Sequence, residues 1–277
     1  MILRILAVMM CWWICLGALP AAGEGWRHTP PAWRELGRGL SFAEVKVLLD
    51  EREVERLAVV KIDPAANAFR VFHGKPQSLI DWQQESQAPV VFNAGYYAPG
   101  GKPVGLILMD GKTLGPLRNP RMRGMFVAEP KGMSPDLPRA TILDLVNSPL
   151  TPQKLPWTQG VQSFPLLLDY KGRIRVSPSE KVSHRTVVAT DRQGNILVFN
   201  TADAYFTLYN LAQFLKASAF EIDSALNLDG GRESQLFIKT KDFSFFSPSD
   251  WESRLGSLLD RKQFLLPTVI GVFPRQE

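Results

Sequence analysis

The sequence predicts a mixed α/β (α+β) domain: a twisted, largely antiparallel mixed sheet with packed helices, folded as a single unit. Three observations carry this expectation. Short apolar bursts separated by turn residues recur from Gly39 to Gly74 and again from Phe164 to Phe199. Two segments, 78–86 and 207–219, switch to helical spacing. No flexible, low-complexity linker and no fixed-period repeat divides the 277 residues.

The first 23 residues read as a signal peptide. Arg4 supplies a positive start, Ile5 to Leu19 is an apolar run short for a bilayer, and Ala21-Ala22-Gly23 offers small side chains for cleavage before Glu24. A retained anchor is the alternative reading of the same run. Both cysteines, Cys11 and Cys15, lie inside it, so the chain from 24 to 277 has no thiol and must stand on its apolar core. About 254 residues can bury roughly three quarters of their surface. The expectation is an exported protein, periplasmic or secreted, without stable membrane insertion after cleavage. Losing residues 1–23 removes only Arg4, which takes the net charge from +5 to +4. Cations are interspersed with acids, so a nucleic-acid partner is not expected, while a local site for an anion remains open.

The elements follow in order. Phe42–Leu48, Leu57–Ile62 and Phe69–Phe72 read as antiparallel strands joined by turns, and the mixed-charge run Asp50–Arg56 reads as a solvated turn. Ser78–Ser86 has helical spacing through Leu79, Ile80 and Trp82, and Pro89 closes it before the buried-strand run Val90-Val91-Phe92. The loop Asn93–Gly101 leads into Val104–Met109, where Asp110-Gly111 offers a hairpin turn. Residues 128–156 carry six prolines around a short periodic stretch at Thr141–Val146 and read as one long irregular connection. Phe164–Asp169 reads as a strand, Thr186–Phe199 as a hairpin, and Thr207–Ala219 as a helix with Thr207 as N-cap. The apolar run Ala225–Leu228 then ends in Asp229-Gly230-Gly231.

That last junction is the best site candidate. A carboxylate sits where a buried element opens into a glycine turn, whose amides can approach an anionic group; an ordinary turn has the same composition. Asn93, Gln162-Ser163 and His184-Arg185 likewise flank apolar runs, where loops commonly carry sites. His28, His73 and His184 are the only histidines and share no ligand spacing, which argues against zinc. No cofactor is indicated, although calcium or magnesium on Asp229, Asn227 and carbonyls needs no fixed spacing. There is no nucleophile elbow, P-loop or dinucleotide fingerprint.

Five motifs occur in a characteristic order: Asn93-Ala94-Gly95-Tyr96-Tyr97, Pro103-Val104-Gly105-Leu106, Gln162-Ser163-Phe164-Pro165-Leu166-Leu167, Arg185-Thr186 and Asn227-Leu228-Asp229-Gly230-Gly231. In these the chain resembles a bacterial member of the phosphodiester glycosidase family, over roughly residues 40–273. The resemblance implies a hydrolase that cleaves a sugar-1-phosphodiester in envelope or extracellular glycoconjugates. On that reading Asp229 acts at the anomeric carbon as nucleophile or base, and Arg185 stabilises the departing phosphate. Glu233 is the nearest second carboxylate, with Asp223, Asp203 and Asp169 as alternatives. Asn93, Gln162 and Asn227 would bind sugar hydroxyls or orient Asp229, Tyr96 would stack on a ring, and His184 would bind phosphate or transfer protons. Gly95, Gly230, Gly231 and Ser234 complete the substrate-binding set. The chain departs from the family pattern at Phe164, usually glycine, and at Arg232-Glu233-Ser234, where a third glycine and serines are common. Two other readings use the same pocket: an anionic-glycan binding or exopolysaccharide-associated module, and an exported phosphodiesterase. The oligomeric state has no sequence signature.

Overall fold

Alternating apolar and polar side chains make Leu40–Leu49 and Arg52–Ile62 a long antiparallel hairpin in the computed structural model, which describes residues 25–132, 137–149, 151, 155–248 and 265–276. Its turn is tight. Asp50 and Glu51 alone occupy left-handed backbone, with φ of 49° and 65°. The solvated turn expected over Asp50–Arg56 is therefore confined to its first two residues. The charged side chains from Arg52 onward lie on a strand, which exposes Arg52, Glu53 and Arg56 and buries Glu55.

This hairpin belongs to the largest of three main sheets, beside which Tyr97–Ala98 and Lys102–Pro103 form a two-stranded pair. In the largest the order runs Trp26–His28, Leu40–Leu49, Arg52–Ile62, Ile196–Thr201, Thr186–Asp191, Ile222–Asn227 and Leu166–Leu168, with Arg34–Gly37 also on Leu40–Leu49. A second sheet orders Lys112–Leu114, Ile107–Met109, Trp157–Ser163, Gly124–Pro130 and Ala140–Asp144. A third orders Ser244–Ser247, Leu236–Lys239, Val90–Asn93, Leu266–Pro274 and Asn67–Gln77. Phe42, Phe69, Phe92, Phe126, Val161, Val188, Leu226 and Ile270, drawn from all three sheets, share one core. Fully burying a side chain of this size contributes about 1.5–3 kcal/mol.

Every strand pairing among the described residues is antiparallel. Only two α-helices occur there, Leu79–Ser86 and Leu208–Ala217. The expected class holds in part: the sheets are antiparallel and each helix packs on one of them, but strands dominate and the helical share is smaller than a mixed α/β class implies. Leu211, Phe214 and Leu215 pack on the largest sheet, while Leu79 and Trp82 pack on the third. Both helices begin as the sequence predicts, because Ser78 Oγ accepts from the Asp81 amide and Thr207 Oγ1 from the Asn210 amide, each at 3.1 Å. The Asp110-Gly111 hairpin also forms, with both residues at positive φ.

Residues 128–156 need a correction. Gly124–Pro130 pairs with Ala140–Asp144 from Gly124↔Asp144 to Ala128↔Ala140, so both flanks of 131–139 within the supposed irregular connection are sheet. Pro130 ends one strand and Pro138 precedes the next, positions where a missing amide removes no ladder bond. The third strand of the expected N-terminal meander, Asn67–Gln77, pairs with the C-terminal strand Leu266–Pro274 instead. The segment read as a signal peptide lies outside the described residues. No helix among the described residues is long and apolar enough to cross a membrane.

Candidate active site

Four polar residues that flank apolar runs in the sequence stand at strand ends. Asn93 ends Val90–Asn93, Ser163 ends Trp157–Ser163, Asn227 ends Ile222–Asn227, and Arg185 directly precedes Thr186–Asp191. A buried network joins two of these elements, Val90–Asn93 and Thr186–Asp191, to the strand Ile196–Thr201. Thr186 Oγ1 donates to Asn93 Oδ1 at 2.6 Å, and its oxygen also contacts Ser234 Oγ at 2.8 Å and Asn200 Nδ2 at 2.9 Å. Asn93 Nδ2 donates to the Asp229 carbonyl at 2.7 Å, while its Oδ1 also accepts from the Gln235 amide at 3.1 Å. Asn93 therefore clamps the backbone of the catalytic candidate and has no freedom to bind sugar. Asn93→Ala would leave a buried amide and carbonyl short of partners; an expected loss of about 2–4 kcal/mol can be read from urea unfolding.

The glycines act by close approach. A Cβ on Gly95 would lie 2.8 Å from the Gln162 carbonyl oxygen, and one on Gly230 would lie 3.0 Å from the His184 oxygen and 3.5 Å from Arg185 Nη1. The Asp229–Gly231 turn thus packs directly on the segment that carries Arg185. Its amides are spent internally, Gly230 N on Asp229 Oδ1 at 2.9 Å and Gly231 N on the His184 carbonyl at 2.9 Å. They do not form the anion cradle expected from the sequence.

Asp229 is the outstanding titratable group. Burial, reinforced by the neighbouring charge of Glu233 and opposed by the Gly230 amide, pushes its carboxyl from 3.8 to about 7. Arg185 is buried, donates from Nη2 to the Lys181 carbonyl at 3.0 Å, and has no carboxylate partner among the described residues. Burial lowers its pKa, yet a guanidinium stays charged at any working pH. Between the two sits Tyr96, whose hydroxyl accepts from Asn227 Nδ2 at 3.0 Å and senses the charges of both Asp229 and Arg185. Burial first and Asp229 second raise its pKa, so it is a neutral donor. Its polar tip points into the cluster, which suits hydrogen bonding better than the ring stacking expected. Tyr97, not among the sequence candidates, donates to Glu233 Oε1 at 3.4 Å and is pushed up to about 12 by burial and that carboxylate.

Buried polar atoms without a partner mark the same place. Among the described residues they are Ser163 Oγ, Arg185 Nε, Asn200 Oδ1 and Asn227 Oδ1. Native folds meet such atoms with internal water or a ligand. All four belong to the strand ends and the network just described.

The family model for phosphodiester glycosidases matches residues 86–273, which hold all of these groups. The chain belongs to the phosphodiester glycosidase family. Two solved structures share the fold of this family member. The catalytic domain of zebrafish N-acetylglucosamine-1-phosphodiester α-N-acetylglucosaminidase, auto-inhibited by its pro-peptide, superposes with a TM-score of 0.58 at 16% identity, covering 91% of this chain and 89% of that one. A hypothetical protein from Synechocystis gives 0.57 at 17% identity, covering 89% of this chain and 64% of that one. No curated protein matches the sequence.

In this member of the phosphodiester glycosidase family, Asp229, Glu233, Arg185, Tyr96 and Asn227 come together, with His184 beside them. His184 is half-buried, its Nδ1 3.4 Å from the Thr201 carbonyl. Gln162 does not join them: its amide is held by the Leu106 N–H and the Met122 carbonyl, both at 2.9 Å. Ser234 is buried in the network and cannot reach a ligand directly. The alternative carboxylates are elsewhere. Asp169 would be raised by burial, but hydrogen bonds from Arg173, Arg175 and Lys171 bring it down to about 2. Asp203 pairs with Arg56, and Asp223 lines a separate cleft with Asp191 and Arg192. No group of three carboxylate, histidine or cysteine ligands suited to a metal forms among the described residues. Thr186 and Asn200 were missed as supports, since their role exists only across strands. Tyr97 stood within the first motif, and only its contact with Glu233 distinguishes it.

Proposed function

We propose that this protein hydrolyses the bond between a sugar anomeric carbon and a phosphodiester. One juxtaposition carries the reading: a carboxyl poised near 7 on a turn that packs against a buried arginine with no carboxylate partner among the described residues. A base works best with a pKa near the operating pH, so Asp229 takes a proton from the attacking water as its oxygen bonds to the anomeric carbon. The carbon–oxygen bond breaks with its electrons going to the phosphate, which leaves as a monoester. The second pKa of such a group is about 6, so it needs a fixed cation rather than a proton donor, and Arg185 supplies that cation. Tyr96 orients the reacting groups, and Glu233 tunes Asp229.

The envelope or extracellular setting is part of the proposal and rests on the export-signal features of residues 1–23. The test is release of free sugar from a sugar-1-phosphodiester in labelled water. Label in the sugar supports the reading, label in phosphate means a phosphodiesterase, and saturable binding without product means a binding module. Glu233→Gln supplies a pH test. Removing its negative charge favours ionised Asp229, so the acidic limb of kcat/KM, set by an Asp229 pKa of about 7, should move to lower pH. An unmoved limb would separate Glu233 from the titration.

A further inference from the structure

Outside the catalytic cluster, the loop Gly115–Arg123 is unusual in charge. Between Asp110 and Glu129 there are four cations, Lys112, Arg118, Arg121 and Arg123, and no acid. Arg118, Arg121 and Arg123 form no ion pair among the described residues. Arg118 and Arg123 line a groove of about 530 Å³ together with Leu117, Val146, Pro149 and Gln162. Leu117 and Val146 are 45% and 50% exposed, so the groove presents an apolar wall beside two unpaired cations.

The groove is tied to the catalytic cluster from two sides. Asn119 Nδ2 donates to the Val104 carbonyl at 2.8 Å, and the Val104 amide donates to the Tyr96 carbonyl at 3.0 Å. Gln162, in its lining, is followed two residues later by Phe164, whose carbonyl accepts from Asn227 Nδ2 at 3.1 Å. The Phe164 ring is 40% exposed and offers an apolar stepping surface along that segment. A substrate lying across Arg185 has its sugar at Asp229 and must extend its aglycone past the rim.

We infer that this groove binds the aglycone of the substrate and selects one carrying a further phosphate beyond the scissile phosphodiester, as in a chain of sugar-phosphate repeats. The inference rests on the proposed hydrolysis for its orientation. Arg118 and Arg123 meet the second phosphate, and Leu117, Val146 and Phe164 cover the apolar faces of the spacer between the two charges. Arginine forks suit phosphate, and the exposed setting makes the preference salt-sensitive.

The test separates binding from turnover. Two sugar-1-phosphodiester probes, one with a glycerol aglycone and one with a glycerol-phosphate aglycone, are titrated by calorimetry into the full-length Asp229→Asn protein at low salt. The phosphorylated probe should bind about tenfold more tightly. That preference should fall below about threefold after adding Arg118→Ala and Arg123→Ala, return with Arg118→Lys and Arg123→Lys, and fade at high salt. Equal affinity for both probes, no binding of either, or a preference that survives both alanines would overturn the assignment. Arginine-dependent binding without wild-type turnover would retain the groove and sink hydrolysis; turnover without aglycone preference would do the reverse.

Discussion

Asp229→Asn should abolish hydrolysis while making the protein more stable above neutral pH. The activity loss is expected to be about 10³-fold or greater, because positioned acid–base groups contribute roughly 10²–10⁴-fold and no second carboxylate shares the Asp229 position. The stability gain follows from linkage. An acid whose folded pKa is raised from 3.8 to about 7 contributes no penalty below pH 3.8, and a penalty that grows until pH 7 as the unfolded chain ionises first. Three pKa units correspond to about 4 kcal/mol, and partial exposure of Asp229 reduces this to about 2–4 kcal/mol. Asparagine keeps an oxygen for the Gly230 amide and has nothing to ionise. Melting curves should therefore show the variant roughly 5–10 °C above wild type at pH 8 and level with it at pH 3.5. Wild-type activity, or a gain independent of pH, would remove Asp229 from the chemistry.

Arg185→Ala should lower kcat by about 10²–10³-fold, the scale measured when a donor to developing negative charge is deleted. Arg185→Lys should recover only part of this, since an ammonium lacks the planar fork that grips two phosphate oxygens. The fold should survive. Among the described residues Arg185 has no ion pair to lose, and its side chain donates to the Lys181 carbonyl at 3.0 Å. Circular dichroism and melting would confirm that, and activity within threefold of wild type would place the leaving-group charge elsewhere. Read together, the two variants distinguish roles: Asp229→Asn removes the activity and the pH dependence of stability that comes from its carboxyl, whereas Arg185→Ala lowers the rate and leaves that dependence in place.

Local chemistry made several features legible. Ser78 and Thr207 cap their helices because a hydroxyl before helical spacing meets free amides wherever it occurs. Asp110-Gly111 and the turn after Asp191 form hairpins for equally local reasons. Asn67–Gln77 was beyond this kind of reading: its partner, Leu266–Pro274, lies almost two hundred residues away. The strands within 124–144 were hidden because prolines at strand ends look the same as prolines in loops. Among the candidate site residues, Asp229 and Arg185 were picked out by motif and residue type, and the fold brings their segments together. Asn93 and Gln162 belonged to the same motifs but hold backbone groups, and Ser234, just beyond the last motif, holds the side chains of Thr186 and Asn200. An amide or hydroxyl side chain has the same identity whether it faces a sugar or a neighbouring strand.

By itself the sequence determined the segment boundaries set by local turn and cap chemistry, the family motifs and their order, and the pairing of a carboxylate with a glycine turn. The largely antiparallel sheet was also legible, whereas tertiary structure alone decided which distant strands pair and the convergence of strand ends. It also decided which motif residues touch the site and which hold it together. The physical reason is that backbone preferences act over a few residues, whereas desolvation, charge and hydrogen-bond partnership depend on what the folded chain brings near. Asp229 near 7 and the buried setting of Arg185 are products of that proximity.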